Sequence, residues 1–329
     1  MKRLVVVMLL VTLIPIGAAA SFPTHNQNPG FSGFTEGSVQ GLGEFRMSYP
    51  GISAGEDVPM AQNGPFATVV FYPDDGEEVD QYIWLQDELA RWGFITLVVQ
   101  PDQVDWPKVK RKLAEMNNGT CPVDGCLSMF ALSHISLGGH GTGAHLAAEI
   151  VRSNQYNLSG LFGLSLEGTT TDYQNPATVL TRPAVALFLT GTTDEIAPAN
   201  ENIIPYVEDW PGAWQVMHPL GANHIGYQED DTFLERWNDG DGNMSREIQQ
   251  QHALNHILPY LNLTLKGDAA AYQAAFNRED KSVSSDSDAY IDEDLSRSRL
   301  YNLTDMSISL NSISMTDDFT ISANVTQRN

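Results

Sequence analysis

The chain reads as an α/β protein organised around a mostly parallel sheet, and three observations predict this. Short, near-continuous apolar runs such as Ala67-Thr-Val-Val-Phe-Tyr and Phe94-Ile-Thr-Leu-Val-Val recur through the middle of the sequence, as buried parallel strands require. Segments with helical spacing separate them, giving the strand-helix alternation of a sheet covered on both faces. The segment Ile135-Ser-Leu-Gly-Gly-His-Gly-Thr-Gly-Ala-His joins one such run to a small-residue helix through closely spaced glycines, the mark of a sharp strand-to-helix turn.

Taken in order, the first elements are not part of that core. Met1, Lys2 and Arg3 form a basic head, Leu4 to Ile16 an apolar run, and Ala18, Ala19 and Ala20 a small-residue stretch. This is the pattern of a secretory signal peptide over residues 1–20, cleaved after Ala20, and it predicts a secreted protein, extracellular or periplasmic. A membrane anchor is the other reading, but the run is short for a span and Pro15 and Gly17 interrupt it. No later stretch is long and apolar enough to predict a span.

Residues 21–278 carry the main domain. Its first forty residues are rich in Gly, Pro, Ser and Asn, with one strand-like piece at Glu44-Phe-Arg-Met-Ser-Tyr. The strand ending at Pro73 follows, then a helix over Val79–Trp92 closed by Gly93, the strand Phe94–Val99, and a helix from Trp106 to Met116. Strands near Leu132–Leu137, Gly160–Leu166, Val185–Leu189 and Trp214–Met217 complete the sheet. A helix is expected over Thr142–Ser153, a long one over Ser245–Leu265 kinked or split by Pro259, and a short one over Asp268–Asn277. Residues 279–299 are acidic and serine-rich, as a flexible linker would be. Residues 300–329 show two period-two segments around Asp317-Asp318, which predict a small C-terminal β-hairpin extension.

The formal net charge of −23 repels phosphate backbones and anionic membranes, so nucleic acid is not an expected partner. The only cysteines, Cys121 and Cys126, flank Pro-Val-Asp-Gly. In an exported chain this spacing predicts a small disulfide loop; a catalytic thiol would want a neighbouring histidine, and a metal site more ligands.

Three places in the sequence line up as a catalytic constellation. In the Gly139-His-Gly-Thr-Gly turn the flanking Gly139 and Gly143 allow a sharp strand-to-helix elbow, and the central residue should project into the site from a strained conformation. That residue is Gly141, which accepts the conformation and offers no hydroxyl. Asp194, in the Gly191-Thr-Thr-Asp-Glu-Ile-Ala-Pro loop after a late strand, stands where a triad acid is expected. His224, in Gly221-Ala-Asn-His-Ile after the last short strand, stands where the base is expected.

On these residues the chain resembles the cutinase, PET-hydrolase and dienelactone-hydrolase branch of the α/β-hydrolases. The likeness extends over Gly64-Pro-Phe-Ala-Thr-Val-Val-Phe-Tyr-Pro, Tyr82-Ile-Trp-Leu, Leu89-Ala-Arg-Trp-Gly-Phe, the elbow and the two loops just described, from about Arg46 to Phe276. The resemblance implies an α/β-hydrolase fold, carboxylic ester hydrolysis and an ester- or lipid-like ligand, and no cofactor. It also implies an oxyanion hole formed by the backbone N–H groups of Thr142 and, by ungapped matching, Asp75. The chain departs from that pattern twice. The nucleophile is missing at Gly141, and the oxyanion loop reads Asp74-Asp75-Gly76-Glu77-Glu78, whose carboxylates, if turned inward, would oppose a developing oxyanion.

Two functions follow as expectations: a binding or structural homologue that does not hydrolyse, or a weak ester hydrolase whose water is activated by His224 oriented by Asp194. Ser133 and Ser136 lie on the strand before the turn, with no reason to enter the site. His140 is expected to pack, and His134 and His145 have no ligand spacing, so no metal is expected. Asp239-Gly-Asp-Gly-Asn243 starts like a calcium loop but has Met244 where the turn glycine belongs. Trp210, Trp214 and Trp237 read equally as cleft lining or as core.

Overall fold

The computed structural model describes residues 30–39, 42–100, 105–153, 157–168, 184–208, 210, 214–231, 238–240, 242–268, 270 and 297–299. The expected signal peptide, most of the expected Asp268–Asn277 helix, Trp237, Asp241 and nearly all of 271–329, including the C-terminal hairpin, lie outside this set.

Among the described residues ten strands form one sheet: β1 (Phe31–Val39), β2 (Gly43–Gly51), β3 (Gly55–Glu56), β4 (Phe66–Tyr72), β5 (Phe94–Val99), β6 (Phe130–His140), β7 (Gly160–Leu164), β8 (Val185–Leu189), β9 (Trp214–Met217) and β10 (Arg297–Arg299). Their order across the sheet is β10-β9-β8-β7-β6-β4-β5-β2-β1-β3. The run β5-β4-β6-β7-β8-β9 is parallel throughout. Antiparallel pairs close both sides, β2 against β5 and β1 at one, β10 against β9 at the other. This α/β architecture, mostly parallel, is consistent with the α/β-hydrolase fold.

The central parallel strands are deeply buried; every residue of β4 and β5 is covered. Their alternate side chains feed two apolar layers. Val70, Tyr72, Ile95, Leu97 and Val99 meet α2 (Trp106–Asn117), α3 (Gly141–Arg152) and α4 (Ile203–Glu208) on one face. Val69, Phe71, Phe94 and Val98 meet α1 (Ile83–Arg91) and α5 (Arg246–Lys266) on the other. Both faces being covered is why these strands read as continuous apolar runs rather than alternating ones.

Local signals set the helix ends. The Asp105 carboxylate accepts the Lys108 N–H at 2.9 Å and starts α2. Ser245 caps α5, and Gly267 ends it at φ +74°. Of the kink or split expected at Pro259, the split does not occur: helix α5 is one continuous element through it. Proline removes only one hydrogen bond, and Ile257, Tyr260 and Leu261, buried on either side of it, hold that turn against the sheet. Tyr260 adds a polar pin: its hydroxyl accepts Leu161 N–H at 2.8 Å and lies 2.7 and 2.6 Å from the Leu161 and Val185 carbonyls.

Strand β1 was not expected. Its Phe-Ser-Gly-Phe-Thr-Glu-Gly-Ser-Val sequence has low β propensity, and the strand owes its existence to nine-residue antiparallel pairing with β2. Cys121 and Cys126 are joined in the loop that leads into β6, with Cα atoms 6.3 Å apart. Among the described residues no helix is long and apolar enough to cross a membrane.

Candidate functional site

The parallel strands end in register, with Tyr72 opposite Gly139, His140 opposite Leu164, Leu164 opposite Leu189 and Leu189 opposite Met217. The loops that leave these ends therefore share one edge of the sheet, where α/β proteins gather their functional groups. Asp74 follows β4, Gly141 follows β6, Ser165 follows β7, Asp194 follows β8 and His224 follows β9.

The elbow is formed as its glycines suggest. Gly141 has φ +50°. A Cβ on Gly139 would strike the Gly143 backbone, and one on Gly143 would strike the Tyr72 and Pro73 carbonyls. A Cβ on Gly141 would overlap a different group, the Asp74 carboxylate. That carboxylate fills the space in front of the turn.

Its two oxygens have separate partners. Oδ1 accepts the backbone N–H of Thr142 at 2.8 Å, the Thr142 hydroxyl at 2.9 Å and the backbone N–H of Asp75 at 2.8 Å. Oδ2 lies 2.9 Å from His224 Nε2. Thr142 N–H and Asp75 N–H, the two donors singled out from the sequence, thus converge on one point, and an oxygen of the chain itself stands there. On the far side of the imidazole, His224 Nδ1 lies 3.4 Å from Asp194 Oδ1, which also accepts the Ala197 N–H at 2.7 Å. His224 is held between two carboxylates, and all three side chains are close to fully buried.

The electrostatics follow from that placement. Burial opposes charge on His224, but its hydrogen bonds to Asp194 and Asp74 outweigh burial and push its pKa up to about 10. Burial likewise opposes charge on Asp74, yet the His224 hydrogen bond, the adjacent His140 and His224 and the Thr142 N–H hold it well below the carboxylate range. Asp194 is lowered too, with burial overcome by His224, the Ala197 N–H and the Ser165 hydroxyl. The triad is an anion-cation-anion arrangement at neutral pH.

Around it lie groups that sequence reasoning missed or underrated. His140 is fully buried; its ring packs 4.4 Å from that of His224, and its Nδ1 is 3.0 Å from the Tyr82 hydroxyl. Burial, then the charge of His224, depress its pKa to about 3, so it is neutral. Tyr82 also accepts the Asp74 N–H at 3.1 Å, which fixes the start of the loop. Ser165, fully buried beside Asp194, has φ +41°, an uncommon backbone for a residue with a side chain. Asp239 braces the two late loops: Oδ1 accepts Glu195 N–H at 3.1 Å and Gly240 N–H at 2.9 Å, and Oδ2 accepts Ile225 N–H at 3.0 Å. The start of the calcium-like segment is therefore a clamp on neighbouring backbone. The Asp74 carboxylate too had a signal in the sequence, the acidic run itself, but nothing in that run shows which carboxylate turns inward.

The remaining candidates stay apart from this cluster. Exposed Ser133 contacts the neighbouring half-buried His134, and the Ser136 hydroxyl faces its own strand. His145 meets the edge of Tyr206. Trp210 is core, stacked on Tyr206 and donating to the Ala184 carbonyl at 3.2 Å, and Trp214 is buried in β9.

No protein-family profile matches the chain, and no curated protein shows significant sequence similarity to it.

Proposed function

We propose that this protein is a secreted, non-hydrolysing homologue of the carboxylic ester hydrolases of the α/β-hydrolase fold, acting by binding or as a structural component. The observation that carries the reading is the Asp74 carboxylate seated against Gly141, its Oδ1 on the Thr142 and Asp75 N–H groups and its Oδ2 on His224.

Serine-type ester cleavage needs a nucleophile, two free donors for the oxyanion and a neutral base. Gly141 removes the first. Asp74 takes the second and places negative charge where negative charge would have to develop. The third is lost because His224 is paired on both ring nitrogens, and a histidine that keeps its proton up to about pH 10 is a poor base at neutrality. The alternative reading, a water activated by the Asp194–His224 pair, needs room in front of Gly141, and the Asp74 carboxylate occupies that room. An ester- or lipid-like molecule arriving at this edge is bound and released intact.

The test is direct. The purified mature chain should release no p-nitrophenolate from short-chain p-nitrophenyl esters above buffer and should resist labelling by a fluorophosphonate. Turnover in the ordinary enzymatic range of about 1 per second or more, or one equivalent of label on a serine, would overturn the proposal.

A further inference from the structure

We propose that Asp74, His140 and His224 form a binding site for a borderline divalent metal ion of the zinc class. The inference goes beyond the loss of serine chemistry and does not depend on whether any ester is cleaved.

One ligand atom from each of these three residues lies within 4.8 Å of the other two, the one such group among the described residues. Two imidazoles and one carboxylate are the protein ligands of an open zinc site, with further positions left for water or a ligand. Four-coordinate bonds of about 2.0–2.1 Å place ligand atoms about 3.3 Å apart. The His224 Nε2 to Asp74 Oδ2 distance of 2.9 Å needs to open by a few tenths of an ångström, and the His140 ring has to move in.

The second observation is His140 itself. Its ring is fully buried and lies against that of His224. Nδ1 faces the Tyr82 hydroxyl, whereas Nε2 closes no hydrogen bond, although the His224 carbonyl lies beside the ring.

The surroundings of each residue match a metal site. Metal-bound histidines characteristically hold their second nitrogen against a carboxylate or another polar group, which orients the ring. His224 has Asp194 behind Nδ1, and His140 has Tyr82. The ligating carboxylate should in turn be hydrogen-bonded, and Asp74 Oδ1 has three donors that leave Oδ2 to turn inward. Two buried carboxylates, Asp74 and Asp194, flank His224, and a divalent cation seated beside Asp74 offsets that concentration of acidic groups.

Cobalt(II) is a suitable probe because its visible spectrum reports coordination. Chelator-treated, full-length mature protein is titrated with Co²⁺ in excess Mg²⁺ and Ca²⁺, which occupy the acidic surface and compete poorly for nitrogen ligands. One equivalent should bind with the absorption of a four- or five-coordinate nitrogen-oxygen site, and Zn²⁺ should displace it. His140→Gln and Asp74→Asn should each weaken binding at least about tenfold, and His134→Ala, on β6 away from the cluster, should bind as the parent does. In the unmutated protein, Zn²⁺ should shift the imidazole NMR signals of His140 and His224 and leave those of His252 and His256 in place. This second readout serves even where a variant fails to fold. Absence of saturable binding by folded parent protein, an affinity unchanged from the parent's in both ligand variants, or unmoved His140 and His224 signals would each overturn the site.

Discussion

Restoring a serine at position 141 should fail alone and succeed only when Asp74 is removed with it. In Gly141→Ser the new side chain takes a left-handed backbone at φ +50°, which costs about 1–2 kcal/mol. Its Cβ also overlaps the Asp74 carboxylate, so Asp74 must leave its three donors and His224. Breaking a buried ion pair costs about 3–5 kcal/mol. The sum, about 4–7 kcal/mol, is comparable to the whole stability of many domains. The single variant should therefore unfold at far lower urea than the parent, with no esterase activity. In Gly141→Ser with Asp74→Gly the overlap and the misplaced charge are gone, Thr142 N–H and the N–H of residue 75 are free, and His224 keeps only Asp194, which lowers its pKa towards a useful base. This double variant should be more stable than the single one. It should also hydrolyse p-nitrophenyl acetate at least on the order of 10³-fold faster than the parent, the scale on which triad members act, and take up one equivalent of fluorophosphonate. The assays are urea unfolding followed by circular dichroism, ester turnover and intact-mass analysis of the label. A single variant as stable as the parent would refute the placement of Asp74; a folded double variant that neither turns over nor labels would refute the elbow geometry.

Other expectations follow from the same contacts. His224 has a raised pKa, so its contribution to stability is complete below its unfolded value near 6.5 and is lost as pH rises through about 10; its NMR signals should not titrate between pH 5 and 8. Asp74→Asn removes one of its two anionic partners and should lower that midpoint by about 1–3 units, and an unchanged midpoint would mean that Asp74 does not hold it. Tyr260→Phe deletes the hydroxyl shared by β7 and β8 and should cost about 1–3 kcal/mol in urea unfolding. Asp239→Ala strands the N–H groups of Glu195, Gly240 and Ile225 and should cost at least about 2 kcal/mol, with faster amide exchange in the Asp194 and His224 loops.

Much of this was legible in the sequence because it is written in local patterns. Buried parallel strands are apolar throughout, the elbow demands small residues at 139, 141 and 143, and Asp194 and His224 follow identifiable strands. Strand β1 was not legible, since its Gly- and Ser-containing sequence becomes a strand only when β2 pairs with it. Nor was the position of Asp74. The acidic run after Pro73 shows that carboxylates are near, but which one turns inward is decided by Tyr82 holding its N–H and by donors at Thr142, 68 residues later in the chain. The bracing role of Asp239 was hidden for the same reason, because its partners belong to two loops brought together by the sheet.

The seating of Asp74 in the elbow has a consequence for how this protein can change over generations. Two positions are locked to each other: a hydroxyl at 141 is harmful while the acid remains at 74, and removing the acid alone leaves a histidine and two amides with nothing to hold. A single mutational step therefore leads downhill in either direction. Lineages carrying this arrangement are steered away from regaining hydrolysis, and selection is left to work on whatever the closed edge now recognises.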